Sequence, residues 1–319
     1  MQTRAIASIR SFNRTVADRI GALSDQFLGR DRPMACSRTL WEVGPDGIEV
    51  RTLRAKLGLD SGYASRILRA LQREGLIRVR TSRRDRRVRS VHLTGAGRAE
   101  RRELDRRSDA LAWSFLEPLD DPKRERLISA VIEVDRLLRA SMVTLAIEDP
   151  STSDARWCIR QYFLELDVRF EQGFDPSQSI PADEGDLIMP TGALVIARLQ
   201  GQPIGCGALK FHGSRPTELK RMWVTPEARG LGVGRRILME LERIARDAGS
   251  HVVRLETNHA LTEAISLYRT SGYREVEAFN DEPYAHHWFQ KQLRLRRHHR
   301  IPESRQPDQF GRTKHPVDS

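Results

Sequence analysis

The chain has 319 residues, of which 39% are hydrophobic, and it carries a net charge of +11 at pH 7. This length is typical of two domains that each bury a core of their own. No apolar run approaches the roughly 18 residues that a membrane-spanning helix needs, and the first residues lack the apolar segment of a secretory signal, so we predict no contact with a membrane.

Cysteine usage and charge distribution narrow the class further. Cys36, Cys158 and Cys206 are widely spaced, which favours reduced thiols in the cytoplasm over a disulfide framework or a metal site. All of the excess positive charge lies in residues 1–145, and the remainder is balanced. A basic first half predicts nucleic-acid binding, although a solvated basic surface without a partner is the alternative.

The first elements in chain order are helical. Apolar residues recur at steps of three and four over residues 4–28, which predicts an amphipathic helix. A loop, a short helix and a turn at residues 44–47 follow.

Residues 48–75 have the pattern of a helix-turn-helix unit. A short helix ends at Gly58, and a second helix starts after Asp60 or Ser61 as its N-cap. The apolar side chains of the second helix face the core, which leaves its polar side chains outward, where they can enter a major groove and contact double-stranded DNA. These predicted DNA-binding residues are Ser61, Gly62, Tyr63, Ser65, Arg66 and Arg69.

Residues 76–94 alternate in polarity on both sides of a strongly basic turn, which predicts a hairpin whose charge suits the minor groove. Together with the preceding helices, this hairpin resembles the wing of the MarR winged-helix regulators, whose Asp-x-Arg pattern Asp85 and Arg87 fit. The resemblance implies DNA contacts by the wing, here Arg84, Asp85, Arg86 and Arg87. A basic hairpin that serves only solubility is the alternative.

Two more helices are predicted at about 95–116 and 122–145, and the second carries a long apolar stripe. In MarR proteins the first and last helices interlock two protomers, so the resemblance implies a homodimer. Packing within one protomer is the alternative. We therefore assign residues 1–147 to a DNA-binding and dimerisation domain, 148–154 to a linker, 155–293 to a second domain and 294–319 to a disordered basic tail.

The second domain alternates strands and helices, which predicts an α/β fold. Its most informative stretch, residues 218–238, reads as a strand, a Pro turn, a Gly-rich loop and a helix start. Glycines there let backbone N–H groups approach an anion, and the helix adds the positive end of its dipole. Arginines around the loop suit a pyrophosphate.

Two common phosphate loops do not fit this stretch. No Gly-Lys-Ser/Thr follows the glycines, and no second βαβ unit follows the helix. The run Arg229–Gly234 instead resembles motif A of the GNAT superfamily, which implies acetyl-CoA as cofactor and a mixed, mainly antiparallel sheet. The implied coenzyme contacts are Met222, Trp223, Val224, Arg229, Gly230, Leu231, Gly232, Val233, Gly234 and Arg235. Asn258 is a further candidate, because the family's usual Asn position is Leu261 here.

The same resemblance implies two catalytic residues. Glu218, at the start of the strand, corresponds to a carboxylate that acts on the substrate amine, and a surface salt bridge with Lys220 or Arg221 is the alternative. Tyr268 corresponds to a phenol that protonates the leaving thiolate, and a core aromatic residue is the alternative. Glu256 is a candidate for binding a positive group of the substrate.

The sequence thus predicts a mostly α winged helix-turn-helix domain followed by an α/β GNAT domain. The predicted function is a transcription regulator that also transfers acetyl from acetyl-CoA to a primary amine, most plausibly of a small molecule. The alternative is a regulator whose second domain only senses acetyl-CoA or an amine.

Overall fold

The computed structural model describes residues 2–22, 26–81, 88–213 and 215–293. The predicted tail at 294–319 and the wing tip at 82–87 lie outside these residues. In the described parts of the chain, no helix combines the length and hydropathy that a bilayer crossing requires.

The N-terminal part is mainly helical and contains a small three-stranded sheet of order β1-β3-β2. Its elements are α1 (Gln2–Ile20), α2 (Met34–Glu42), β1 (Ile48–Glu49), α3 (Val50–Leu57), α4 (Ser61–Arg73), β2 (Ile77–Thr81), β3 (Arg89–Leu93), α5 (Gly95–Leu116) and α6 (Asp121–Met142). Leu40, Leu71, Val91 and Leu104 are fully buried at the centre of its core. This arrangement confirms the predicted winged helix-turn-helix fold.

The turn between α3 and α4 follows from local sequence. Gly58 has a φ of +62°, which glycine adopts without the steric cost of a Cβ. The side chain of Asp60 then accepts a hydrogen bond of 2.9 Å from the backbone N–H of Tyr63 and caps α4.

Two predicted helix ends are wrong. The helix predicted over residues 4–28 ends at Ile20, because Gly21 takes a positive φ of 65°. The helix predicted to reach residue 145 ends at Met142, and β4 (Thr144–Ile147) follows in extended conformation. β4 pairs with a strand of the second sheet, so these residues contribute to the sheet of the C-terminal part.

The C-terminal part is built on a seven-stranded sheet of order β4-β5-β6-β7-β8-β10-β9. Its further elements are α7 (Ser153–Arg169), β5 (Gly192–Leu199), β6 (Gln202–His212), β7 (Arg215–Val224), α8 (Val233–Asp247), β8 (Val252–Thr257), α9 (Thr262–Thr270), β9 (Arg274–Val276) and β10 (His287–Gln292). Among the described strand pairs, β7 and β8 are parallel and the others antiparallel. The predicted mixed, mainly antiparallel sheet is therefore confirmed.

The two parallel strands, β7 and β8, separate after a short paired region. β7 and β8 pair only where Thr217 and Glu218 lie beside Val253 and Arg254. In addition, a register shift against β6 leaves an extra residue on β7, and Arg221 there has a φ of +58°. The carboxyl ends of β7 and β8 consequently diverge, and a cleft lies between them.

Candidate active site and nucleic-acid interface

Two cavities meet in the cleft. The larger, of about 420 Å³, follows the Gly-rich loop, and the smaller, of about 90 Å³, lies between the end of β8 and the loops of residues 170–182 and 282–285. Six residues line both cavities: Tyr162, Leu166, Met222, Leu261, Ala264 and Tyr268. Two ligands, one bound in each cavity, would therefore meet at this junction.

Most of the predicted coenzyme contacts line the larger cavity. They are Met222, Trp223, Val224, Arg229, Gly230, Gly232, Val233, Gly234 and Arg235. Leu231 and Asn258 do not. Leu231 packs against the hydrophobic core instead. Asn258 lines the smaller cavity, where its amide donates a 2.8 Å hydrogen bond to the carbonyl oxygen of Tyr284.

The start of α8 leaves backbone donors without partners at the larger cavity. Gly232 is the N-cap and has no side chain that could cap the helix. The N–H groups of Gly230 and Gly232 make no hydrogen bond with another described residue. Both glycines have positive φ, +79° and +73°, so a side chain would strain the loop. Free N–H groups at a helix N-terminus are suited to an anion such as a pyrophosphate.

Arginine and glutamate side chains connect this loop to α7. Glu165 accepts hydrogen bonds from the Trp223 indole at 2.9 Å and from Arg229 at 2.5 Å, and Arg169 forms an ion pair with it at 3.1 Å. Arg235 instead contacts α9, where it donates to the hydroxyl of Thr270 at 2.9 Å. The α7 residues were not predicted, although the spacing of Tyr162, Glu165, Leu166 and Arg169 places them on one helix face.

The strand that borders the junction has one free edge. Trp223 and Val224 pair with β6, but the described pairing with β8 ends at Glu218. The backbone of residues 222–224 therefore faces the cleft on its other side, as expected for a strand to which an extended ligand adds.

Tyr268 lies at the junction and is 4% exposed. Burial raises the pKa of its hydroxyl above the ordinary value, so the phenol keeps its proton at neutral pH. No hydrogen bond from this hydroxyl to another described residue is present. The side chain can therefore donate to a group that enters the junction.

Glu218 lies outside both cavities. Its carboxylate accepts a 2.7 Å hydrogen bond from Arg254, and Lys220 and His212 lie 3.6 and 3.3 Å away. Burial raises the pKa of Glu218, but the Arg254 hydrogen bond and the charge of Lys220 outweigh burial and lower it overall. The structure thus separates Glu218 from Tyr268 and places it in an ion-pair cluster.

Two other carboxylates line the smaller cavity, Glu256 and Glu282. Glu256 forms an ion pair with Lys220. Glu282 belongs to the loop before β10, and no periodic pattern in the sequence marks it as a site residue. Its position depends on how that loop packs across the cleft.

The predicted DNA-binding residues of α4 share an outward surface. Ser61, Gly62, Tyr63, Arg66 and Arg69 are exposed, and Ser65 is half-buried. The guanidinium of Arg66 lies 5.4 Å from the centre of the Tyr63 ring. The predicted wing contacts Arg84, Asp85, Arg86 and Arg87 lie outside the described residues.

Comparison with known proteins agrees with both halves of this description. The model of the acetyltransferase (GNAT) family matches residues 160–273. An IAA acetyltransferase from Azospirillum brasilense is 35% identical over 143 residues, which are 44% of this chain and 90% of that protein. The chain belongs to the acetyltransferase (GNAT) family. Acetyl-CoA is the cofactor of this family.

The MarR family model matches residues 31–88, so the same chain carries a MarR-family segment. A second relative of the acetyltransferase part, the RimI N-alpha-acetyltransferase of Mycobacterium tuberculosis, is 32% identical over 127 residues, which are 39% of this chain and 75% of that protein. A solved structure of Streptococcus pneumoniae FabT in complex with DNA is 20% identical, with a TM-score of 0.36, and the likeness covers 43% of this chain and 97% of that one.

Proposed function

We propose that the cleft transfers an acetyl group from acetyl-CoA to a primary amine of a small molecule. The observation that carries this proposal is the junction of the two cavities at Met222 and Tyr268. The larger cavity, with its free N–H groups, would hold the coenzyme, and the smaller one would hold the amine. Acetyl-CoA supplies an acetyl group activated as a thioester.

Backbone and side-chain groups of the protein fit two parts of the coenzyme, its pyrophosphate and its pantetheine arm. The N–H groups of Gly230 and Gly232, together with Arg229 and Arg235, would bind the pyrophosphate. The free edge of residues 222–224 would bind the pantetheine arm in extended form. A backbone N–H of Met222 or Trp223 would polarise the thioester carbonyl.

The acetyl transfer itself consists of one bond formed, one bond broken and two proton transfers. The neutral amine nitrogen uses its lone pair to form the new C–N bond, and the C–S bond breaks with its electrons on sulfur. Tyr268 gives its proton to that thiolate, and the proton that leaves the nitrogen passes to solvent water, from which the phenol is protonated again. That Glu218 takes this proton stays a prediction. Its lowered pKa and its ion pairs make this carboxylate a weaker base.

An amine panel tests the proposal. Purified protein with acetyl-CoA and a broad set of small primary amines is expected to release free CoA thiol in an amine-dependent way. A chain that binds acetyl-CoA yet releases no thiol above hydrolysis with every amine would leave only the sensor function.

The N-terminal part supports a second function, regulation of transcription by a DNA-binding homodimer. In α6 no described residue is buried, and Val131, Leu137 and Leu138, which share one side of the helix, are each more than half exposed. An apolar face of this size is expected to be covered by a second protomer. Leu137→Glu is therefore expected to sediment as a monomer, whereas the native chain sediments as a dimer.

Contacts between the two parts favour a regulator that responds to acetyl-CoA. Arg136 of α6 donates a 3.0 Å hydrogen bond to the carbonyl oxygen of Gly230, in the proposed pyrophosphate loop. Arg236, in the first turn of α8, donates to the carbonyl oxygens of Ala140 in α6 and of Val143, the residue that follows this helix, at 2.6 and 2.7 Å. A change in the loop would therefore reach the helix that we assign to the dimer.

DNA binding with and without acetyl-CoA tests this coupling. We expect acetyl-CoA to change the Kd for DNA in the native chain and Arg136→Ala to reduce that change. Arg139→Ala is the control, because Arg139 pairs with Asp135 on the same helix. A Kd that acetyl-CoA leaves unchanged in the native chain would exclude the coupling.

A further inference from the structure

The smaller cavity contains a buried carboxylate that has no cationic partner. Glu282 is 7% exposed and lines this cavity. It accepts hydrogen bonds from the Ile180 N–H at 2.7 Å, the Ser179 hydroxyl at 2.9 Å and, more weakly, the Tyr284 N–H at 3.4 Å. No lysine, arginine or histidine among the described residues forms an ion pair with it. Neutral donors therefore hold the carboxylate in place and leave its charge uncompensated.

Of the aromatic rings that line the same cavity, three form a cluster: Phe170, Phe174 and Tyr284. The ring centres of Phe174 and Tyr284 are 4.8 Å apart, and Phe170 lies 5.8 Å from each. Ring faces attract cations, and buried aromatic walls also accept methylene groups. Carboxylate and rings together suit an ammonium group carried on an alkyl chain.

Two of the other charged groups of the cavity form an ion pair, and the third, Arg221, has only neutral partners among the described residues. Lys220 and Glu256 form an ion pair with each other. Arg221 lies 4.3 Å from the centre of the Phe163 ring and donates to the carbonyl oxygen of Ala182. Glu282 is thus the carboxylate best placed to attract a cation from solvent.

The position of Glu282 separates this cation from the reaction. Tyr268 and Met222 line both cavities, whereas Glu282 lines only the smaller one. The nitrogen that meets the thioester must lie at the junction and be neutral when it attacks. An ammonium bound at Glu282 is consequently a second charged group of the acceptor.

We propose that the acceptor is a diamine, with one amine at the junction and the other, as an ammonium ion, held by Glu282 among Phe170, Phe174 and Tyr284. This inference rests on the proposed acetyl transfer and names its substrate class. The bond changes are those of that transfer, and the second nitrogen keeps its proton throughout.

Matched substrates give the first test. We would measure kcat and KM for α,ω-diaminoalkanes of increasing length and for amino alcohols of the same length, in which a neutral hydroxyl replaces the second amine. The loss of one charged hydrogen bond is worth roughly 1.5–3 kcal/mol, so the amino alcohol is expected to have a KM at least about 10-fold higher at the best length. Equal KM values at every length would overturn the proposal.

Glu282→Gln gives the second test. Its amide oxygen can still accept hydrogen bonds from Ser179 and Ile180, but the negative charge is lost. KM for the diamine should rise about 10-fold or more, while KM for the amino alcohol and for acetyl-CoA stays constant. Ser179→Ala is the control, since it removes one hydrogen bond and keeps the charge, and it should preserve the preference for the diamine. A Glu282→Gln variant that affects both substrates equally would show a purely structural role.

Calorimetry separates this inference from the proposed function. The diamine is titrated into protein saturated with CoA, with and without Glu282→Gln. If no amine is acetylated but the diamine binds in a Glu282-dependent way, the acetyl transfer fails and the ligand class stands. If amines are acetylated without a preference for diamines, the transfer stands and the ligand class fails.

Discussion

The helix starts of α4 and α8 differ in what they offer a ligand. At α4, the Asp60 side chain occupies the N–H of Tyr63, and the exposed surface consists of side chains such as Arg66. At α8, Gly232 provides no capping side chain, and backbone N–H groups face a cavity. The first arrangement suits contacts with base edges, and the second suits a pyrophosphate, because N–H groups can surround a small anion.

The two regions also differ in how far their functional side chains are exposed to solvent. Side chains at α4 point to solvent, so salt should weaken their contacts with DNA phosphates strongly. The cleft beside α8 holds Tyr268, the proposed proton donor, out of solvent. Variants that separate binding from chemistry can therefore test each region independently.

The largest expected effect is on transfer itself. Tyr268→Phe removes the proposed proton donor and should lower kcat by about 100-fold, the low end of what general acids contribute. KM for acetyl-CoA should change little, since the ring remains. Tyr273→Phe is the control, because this neighbouring tyrosine is buried 5.8 Å away and lines neither cavity. Similar kcat losses in the two variants would argue against the role of Tyr268. Steady-state release of CoA thiol is the measurement.

The next effect concerns the side chains of α4. Arg66→Ala should weaken binding to a duplex selected by the native chain by about 10- to 100-fold and relax its sequence preference, as expected for a lost base contact. Fluorescence anisotropy at fixed salt measures both. Arg73→Ala, at the far end of the same helix, should have a smaller effect. Equal weakening on every sequence would show that Arg66 contacts phosphate.

A charge at the start of α8 should act on the coenzyme alone. Gly232→Glu places a carboxylate at the proposed pyrophosphate site and should raise the Kd for acetyl-CoA about 10-fold above that of its control. Gly249→Glu is that control, since Gly249 has a similar φ of +82° and a Cβ at either position meets no atom within 4 Å. Calorimetry gives both constants. An unchanged Kd for Gly232→Glu would show that the pyrophosphate binds elsewhere.

The smallest effect is on the cap of α4. The hydrogen bond from the Tyr63 N–H lowers the pKa of Asp60 below the ordinary value of an aspartate, so the charged form stabilises the folded state at neutral pH. This stabilisation is lost as the pH falls through the lower, folded-state pKa. The native chain should therefore melt at a higher temperature than Asp60→Asn at neutral pH, and the difference should shrink on acidification. A difference that is independent of pH would contradict the assignment. Circular dichroism provides the melting curves.

The sequence by itself determined the features that depend on neighbouring residues. Gly58 and Asp60 specify the turn and the cap of the helix-turn-helix unit, and the glycines of residues 230–234 specify the loop before α8. The alternation of strands and helices predicted the α/β fold. These features follow from local backbone geometry and hydrophobic periodicity, which a sequence displays directly.

Only the tertiary structure decided features that depend on distant segments. Residues 144–147 become strand β4 because the edge of β5 is available for pairing. Arg254 engages Glu218, and Ile180 and Ser179 fix Glu282, through contacts that span 36, 102 and 103 residues of sequence. Such contacts leave no local pattern, so the sequence could indicate an acetyl-CoA loop but not which carboxylate lines the cavity beside it.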